Sequence, residues 1–218
     1  MIPREELARR LALTVVTDAR VGEGRTVVDV VRAALRGGAP AVQLRAKTET
    51  ARETVELARV LREETRAAGA LLFVNDRVDI ALVADADGAH VGDEDIPVAA
   101  ARRIVPPGFL LGRSADTPEE AIRAREDGAN YVGVGPVYET ASKDDAGSPV
   151  GLARITAVAR VAGIPVVGIG GISEDNAAAV ARAGADGVAV IRAVMAAPDP
   201  GEAVRRLLGE VERGRASR

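Results

Sequence analysis

Residues 175–191 run Asp175-Asn176-Ala177-Ala178-Ala179-Val180-Ala181-Arg182-Ala183-Gly184-Ala185-Asp186-Gly187-Val188-Ala189-Val190-Ile191. The stretch up to Ala183 is rich in helix-forming alanine, Gly184-Ala185 stops the helix, and Gly187 to Ile191 is an apolar run of strand length. Helix, glycine stop and strand therefore follow one another directly. The same order recurs at Gly38-Ala39, Gly69-Ala70 and Gly128-Ala129, at intervals of about one or two ~30-residue βα units. Continuous apolar strands alternating with helices belong to a parallel sheet covered by helices.

Extending this pattern along the chain predicts strands at Leu13 to Thr17, Ala41 to Arg45, Leu71 to Val74, Gly88 to Val91, Phe109 to Gly112, Tyr131 to Val134, Val166 to Ile169 and Gly187 to Ile191. The helices between them are Val27 to Arg36, Ala51 to Ala67, Val78 to Val83, Val98 to Ile104, Pro118 to Asp127, Leu152 to Val161, Asp175 to Ala183 and Glu202 to Glu212. Eight βα units in about 200 to 250 residues is the arithmetic of a (β/α)8 TIM barrel. A six-stranded doubly wound sheet would leave two strands unused. The expected organisation is one barrel domain over residues 1–218, with a helical extension at 1–10 and a frayed tail at 214–218. Functional residues then belong on the loops that follow the strands.

Composition narrows the class of function. With no cysteine, disulfides, thiolate metal sites and a cysteine nucleophile are impossible. One histidine cannot build a multi-histidine zinc site, whereas carboxylate sites for Mg²⁺ stay open. A net charge of −3 with interspersed signs gives no general attraction to nucleic acid or membrane. Phe73, Phe109, Tyr131 and Tyr138 are the only aromatics, too few for a base-stacking platform. The mixed-charge N-terminus and the shortness of the apolar runs predict a cytoplasmic small-molecule enzyme, and a homo-oligomer is compatible with this composition.

Of the 29 basic residues, only Lys47 and Lys143 are lysines, and Gln43 is the sole glutamine. Gln43, Arg45 and Lys47 alternate with Val42, Leu44 and Ala46, so one face of the second strand is polar. In a barrel that face points inward, where two cations require an anion nearby; in an edge strand it would be solvated. Asn75-Asp76 and His90-Val91-Gly92-Asp93-Glu94-Asp95 follow the next two strands. Asp76 and Asp95 could ligate Mg²⁺, or could cap helices. His90 reads as a strand-end residue rather than a catalyst. Gly170-Gly171 after the seventh strand, with main-chain N–H groups and a helix start following, suits a phosphate site of the kind barrels place after strands seven and eight. The long loop from Glu139 to Pro149, carrying Thr140, Ser142 and Lys143, reads as a lid over an anionic ligand.

Together these segments resemble thiamine phosphate synthases. The resemblance rests on Gln43-Leu44-Arg45-Ala46-Lys47, Asn75-Asp76-Arg77-Val78-Asp79, Gly88-Ala89-His90-Val91-Gly92 with Asp95, and Gly112-Arg113-Ser114. Gly133-Val134-Gly135-Pro136-Val137-Tyr138, Thr140-Ala141-Ser142-Lys143, Gly168-Ile169-Gly170-Gly171-Ile172 and Gly184-Ala185-Asp186-Gly187-Val188 continue it in consistent order. The family joins hydroxymethylpyrimidine diphosphate to a thiazole phosphate, plain or carboxylated, on a barrel with Mg²⁺, releasing pyrophosphate. The resemblance implies that Gln43, Arg45, Lys47, Asn75, Ser114 and Lys143 hold the pyrimidine diphosphate, with Arg45, Lys47, Ser114 and Lys143 acting in catalysis. It implies Asp76 and Asp95 as Mg²⁺ ligands, and Thr140, Ala141, Ser142, Gly171, Ile191 and Arg192 around the thiazole phosphate.

Three positions depart from the family pattern. Asp116 stands where a histidine is frequent, Ser142 replaces the usual threonine, and Arg192 takes the place of a serine. The related thiazole tautomerases depend on the histidine that Asp116 replaces, and they lack the full Gln-x-Arg-x-Lys set. A tautomerase, or a silent paralogue that only binds thiamine intermediates, is the alternative function.

Overall fold

The apolar runs become strands of one closed sheet in the computed structural model, which describes residues 2–20, 24–140 and 147–218. In chain order the elements are α1 (Arg4–Arg10), β1 (Leu13–Val16), α2 (Val27–Arg36), β2 (Ala41–Leu44), α3 (Ala51–Ala68), β3 (Leu71–Asn75), α4 (Val78–Val83), β4 (Gly88–Val91) and α5 (Val98–Ala101). They continue with β5 (Leu110–Ser114), α6 (Pro118–Glu126), β6 (Tyr131–Val134), α7 (Gly151–Ala159), β7 (Val166–Ile169), α8 (Ala177–Arg182), β8 (Gly187–Val190), α9 (Arg192–Met195) and α10 (Pro200–Ala216). Neighbouring strands pair in parallel in sequence order. The barrel closes where Leu13, Thr14 and Val15 of β1 meet Val188, Ala189 and Val190 of β8. This is a TIM barrel.

Local chemistry sets the helix ends. Thr50 with Glu53, and Thr117 with Glu120, form reciprocal capping boxes at the starts of α3 and α6. Gly184 takes φ +119 between α8 and β8, a conformation closed to residues with a side chain. Some boundaries differ from the sequence reading. β5 runs on to Ser114 because Val91 pairs with Arg113 and Ser114 with Gly133, so ladder bonds carry the strand beyond its apolar run. α5 stops at Ala101 rather than Ile104, ahead of Pro106-Pro107. The short α9 had no separate signal. The tail does not fray at Gly214: α10 continues to Ala216, Gly214 is buried against α8, and Arg218 Nε donates to the Ala181 carbonyl at 2.9 Å.

A repeated clamp ties neighbouring strands together at their N-terminal ends. Asp87, Asn130 and Asp186 each precede an even-numbered strand. Their side-chain oxygens accept backbone N–H groups of the preceding odd strand, from Leu72 at 2.8 Å, Leu111 at 2.8 Å and Val166 at 3.0 Å. An arginine holds each from outside: Arg62, Arg102 and Arg4 respectively. Among the described residues no helix is long and apolar enough to cross a membrane.

Candidate active site

β2 lies between β1 and β3, so its polar face is interior rather than a solvated edge. Gln43 and Arg45 are both buried there. The anion required by Arg45 is Asp18, just past β1, which accepts from Arg45 Nη1 at 3.1 Å. Asp18 is itself buried and also takes Arg20, whose Nε and Nη2 reach its two oxygens at 3.1 and 3.0 Å. Burial would raise the Asp18 carboxyl, but the Arg20 hydrogen bonds and the charges of Arg20 and Arg45 overcome it and hold the group below the usual carboxylate range. Thr17 completes the seat, its Oγ1 accepting from the Arg45 backbone N–H at 3.0 Å. Arg45 Nε is buried with no hydrogen-bond partner among the described residues.

Lys47, beyond the end of β2, donates to Asp76 Oδ2 at 2.8 Å. Asp76 adopts φ +63 and its N–H bonds the His90 carbonyl, which fixes its carboxylate at the mouth of the barrel. Asp95 accepts from Gly92 N–H at 2.7 Å. Burial, and behind it a hydrogen bond and like charge from Asp76, lift the Asp95 carboxyl above its usual range, against the lowering effect of Gly92 and Lys47. The two carboxylates are therefore neighbours. Neither caps a helix: the N-cap positions of α4 and α5 are Arg77 and Pro97, and neither helix has a side-chain cap. Asn75 ends β3 in register with His90.

Ser114, at the end of β5, lies 3.1 Å from His90 Nε2, and His90 Nδ1 lies 3.1 Å from the Tyr131 hydroxyl. Gln43 hydrogen-bonds the same hydroxyl. His90 is thus more than a strand-end residue, because both ring nitrogens are engaged inside the barrel. Sequence reasoning overlooked Tyr131, Asp18 and Thr17. The demand for an anion beside Arg45 pointed toward Asp18, which sits at the end of the adjacent strand.

On the opposite side of the mouth, the loops after β6 and β7 are laced together. Val137 N–H donates to the Ile169 carbonyl at 2.8 Å and Tyr138 N–H to the Gly170 carbonyl at 3.1 Å. This brings Thr140 toward Gly171: a Cβ on Gly171 would stand 2.5 Å from the Glu139 carbonyl oxygen. Ile191 is buried after β8, and Arg192 is exposed at the start of α9. Asp116 is tied to the β6 end, accepting from Gly135 N–H at 3.2 Å. Ala141, Ser142 and Lys143 lie outside the described residues. A cavity of about 280 Å³ opens at the other end of the barrel, among Arg10, Arg62, Asp87 and Phe109. The residues expected to act chemically are not there.

The sequence profile described as thiamine monophosphate synthase matches residues 13–194. The chain belongs to the thiamine monophosphate synthase family. A thiamine-phosphate synthase of Moorella thermoacetica is 54% identical over 203 residues, covering 93% of this chain and 97% of its own. One from Roseiflexus castenholzii is 55% identical over 193 residues, with 88% and 85% covered. Among solved structures, the thiamine phosphate pyrophosphorylase of Pyrococcus furiosus superposes with a TM-score of 0.87 at 44% identity, covering 95% of this chain and 98% of that one. As a thiamine monophosphate synthase the chain is an enzyme of thiamine biosynthesis.

Proposed function

We propose that this synthase condenses hydroxymethylpyrimidine diphosphate with thiazole phosphate, plain or carboxylated, giving thiamine phosphate and pyrophosphate, plus CO2 when the thiazole carries the carboxyl group, with the help of Mg²⁺. The observation that carries the reading is Arg45, buried against Asp18 with its Nε unpartnered among the described residues, next to the Lys47, Asp76 and Asp95 group. An anionic oxygen beside that Nε would satisfy it.

The donor set fits Mg²⁺, which takes one or two carboxylates and completes its shell with substrate phosphates and water. Asp76 and Asp95 would hold the ion, and their mutual repulsion is the condition that a cation relieves. When bound, Mg²⁺ neutralises charge developing on the departing pyrophosphate.

The chain's own residues do the rest. Arg45 and Lys47 face the diphosphate with fixed positive charge, and Gln43, Asn75 and Ser114 orient the pyrimidine diphosphate. As the bond between the pyrimidine methylene carbon and the diphosphate oxygen breaks, the electron pair leaves with pyrophosphate. The thiazole nitrogen then donates its pair to the pyrimidine-stabilised carbocation. Preorganised cations favour that separation because they are already oriented toward the oxygens where negative charge grows. Thr140, Gly171, Ile191 and Arg192 would receive the thiazole phosphate across the mouth. Ala141, Ser142 and Lys143 enter this reading through the family resemblance alone.

The test is pyrophosphate release by the purified protein with each substrate and Mg²⁺ omitted in turn. Release that needs all three, with thiamine phosphate identified by mass, is the expected result. Release without the thiazole phosphate, or none in the complete mixture, would overturn the reading.

A further inference from the structure

The interior of the barrel holds a hydrogen-bonded chain that crosses four strands and ends at Ser114: Gln43 on β2, Tyr131 on β6, His90 on β4 and Ser114 on β5. Two glycines make room for it. A Cβ on Gly112 would lie 2.2 Å from Tyr131 Cζ, and one on Gly133 would lie 3.1 Å from His90 Cε1. Phe73 packs edge-on against Tyr131 with ring centroids 5.3 Å apart, and the His90 ring lies 5.5 Å from Tyr131. The two rings are therefore held by packing as well as by hydrogen bonds.

Such a chain has two self-consistent directions. In one, Ser114 donates to His90 Nε2, His90 Nδ1–H donates to Tyr131, and the phenol donates to the Gln43 carbonyl oxygen. Ser114 then offers only lone pairs to the mouth. In the other, the Gln43 amide donates to Tyr131, the phenol donates to His90 Nδ1, and His90 Nε2–H donates to Ser114. The Ser114 proton then has no place on His90 and turns toward the mouth. Burial keeps the Tyr131 hydroxyl protonated, so the phenol has a proton to donate to His90 Nδ1. The second direction also places a hydroxyl donor, not a lone pair, on the side of the cations Arg45 and Lys47 that await an anion.

We propose that Tyr131 and His90 are positioning residues which fix the imidazole as the Nε2–H tautomer and so present the Ser114 hydroxyl as a hydrogen-bond donor to the pyrimidine diphosphate. The inference rests on the proposed function for the ligand, but the tautomer itself is a property of the free protein.

Because His90 is the sole histidine, the full chain labelled with ¹⁵N-histidine gives one imidazole signal set, and two-bond proton–nitrogen correlations report which nitrogen carries the proton. The expected result is a single neutral Nε2–H form. A Nδ1–H form, a mixture of tautomers or a doubly protonated ring in the wild-type protein would overturn the proposal, with no variant needing to fold.

A kinetic arm separates positioning from structure. Tyr131→Phe should lower kcat about tenfold, the worth of roughly one misdirected hydrogen bond, with the KM for thiazole phosphate unchanged. Added to Ser114→Ala, the same change should cost nothing further. Independent, multiplying losses would refute the coupling. If the protein makes no thiamine phosphate at all, the functional reading fails while the tautomer measurement still decides this one.

Discussion

At the scale of single residues, Asp18 is the group on which the cationic wall depends. It has 4% of its side chain exposed and Arg45 has 7%, and removing one member of a buried pair leaves the other charge uncompensated, at a cost of about 3 kcal/mol or more. Asp18→Asn should therefore lower stability by roughly that amount and kcat/KM by at least about tenfold, because Arg45 loses its orientation. The native Asp18 pKa is depressed, so its contribution is complete above the unfolded carboxylate pKa near 3.8 and vanishes as pH falls through the native value. The wild-type advantage in denaturant melts should be constant from pH 5 to 8 and shrink in acid; an advantage independent of pH would remove the charge from the explanation. Asp116 works in the opposite sense. Burial raises its carboxyl, and the charges of Glu120 and Asp93 add to this against Gly135 and Arg154. Its ionisation then costs folded stability above the native pKa. Asp116→Asn keeps an acceptor for Gly135 N–H and should raise Tm near pH 7, with the gain disappearing below the unfolded pKa near 3.8. A lower Tm at neutral pH would contradict the sign.

At the scale of elements, the clamps at the N-terminal ends of β3, β5 and β7 explain how strands of four or five residues stay in register. Asp186 is the most buried of the charged clamps: Val166 N–H donates to it and Arg4, half exposed, covers it from the solvent side. Asp186→Ala leaves the Val166 N–H without its side-chain acceptor and should cost about 1–3 kcal/mol. Asn130 already does the same work for Leu111 with an amide oxygen, so Asp186→Asn should recover most of the loss, forfeiting only the half-exposed Arg4 ion pair, worth at most about 1 kcal/mol. Equal losses for Ala and Asn in urea melts would show that charge, not the acceptor, holds the strand. The elements themselves were legible because each apolar run is bounded by a glycine stop, as at Gly184-Ala185. The polar face of β2 was legible because Gln43, Arg45 and Lys47 keep a period of two. The hydrogen-bonded set of Tyr131, His90 and Ser114 was not, since His90 and Ser114 are 24 residues apart and His90 and Tyr131 are 41 apart, and only the closed barrel brings them together. Asp18 had no periodic signature: a single aspartate after a strand acquires meaning only through the β1–β2 register that sets Val16 against Gln43.

For the whole molecule, barrel closure divides labour between two ends of the same strands. Asp87, Asn130 and Asp186 close the N-terminal end, while Asp18, Arg45, Lys47, Asp76, Asp95 and Ser114 gather at the C-terminal end, where active sites of this fold lie. The docked C-terminus belongs to the stability side, Arg215 donating to the Ala8 carbonyl at 2.9 Å and Arg218 to that of Ala181. No periodic cue announces this docking, because it depends on where α10 returns against α1 and α8. This division predicts that the ends can be altered independently. Asp186→Ala should lower Tm by roughly 2–12 °C, at about 2–4 °C per kcal/mol for a chain of this length, while leaving kcat/KM at 25 °C within about twofold. Ser114→Ala should do the reverse, since it removes a hydroxyl at the mouth and no strand-register contact. Among the described residues Asp186 and Ser114 share no hydrogen-bond partner, the first meeting Val166 and Arg4 and the second His90. The double variant should then equal the sum of the singles within about 0.5 kcal/mol, in both denaturant melts and transition-state free energy. A coupling well above that bound would mean that the clamp end sets the geometry of the mouth through the strands, and that this barrel does not keep stability and catalysis at separate ends.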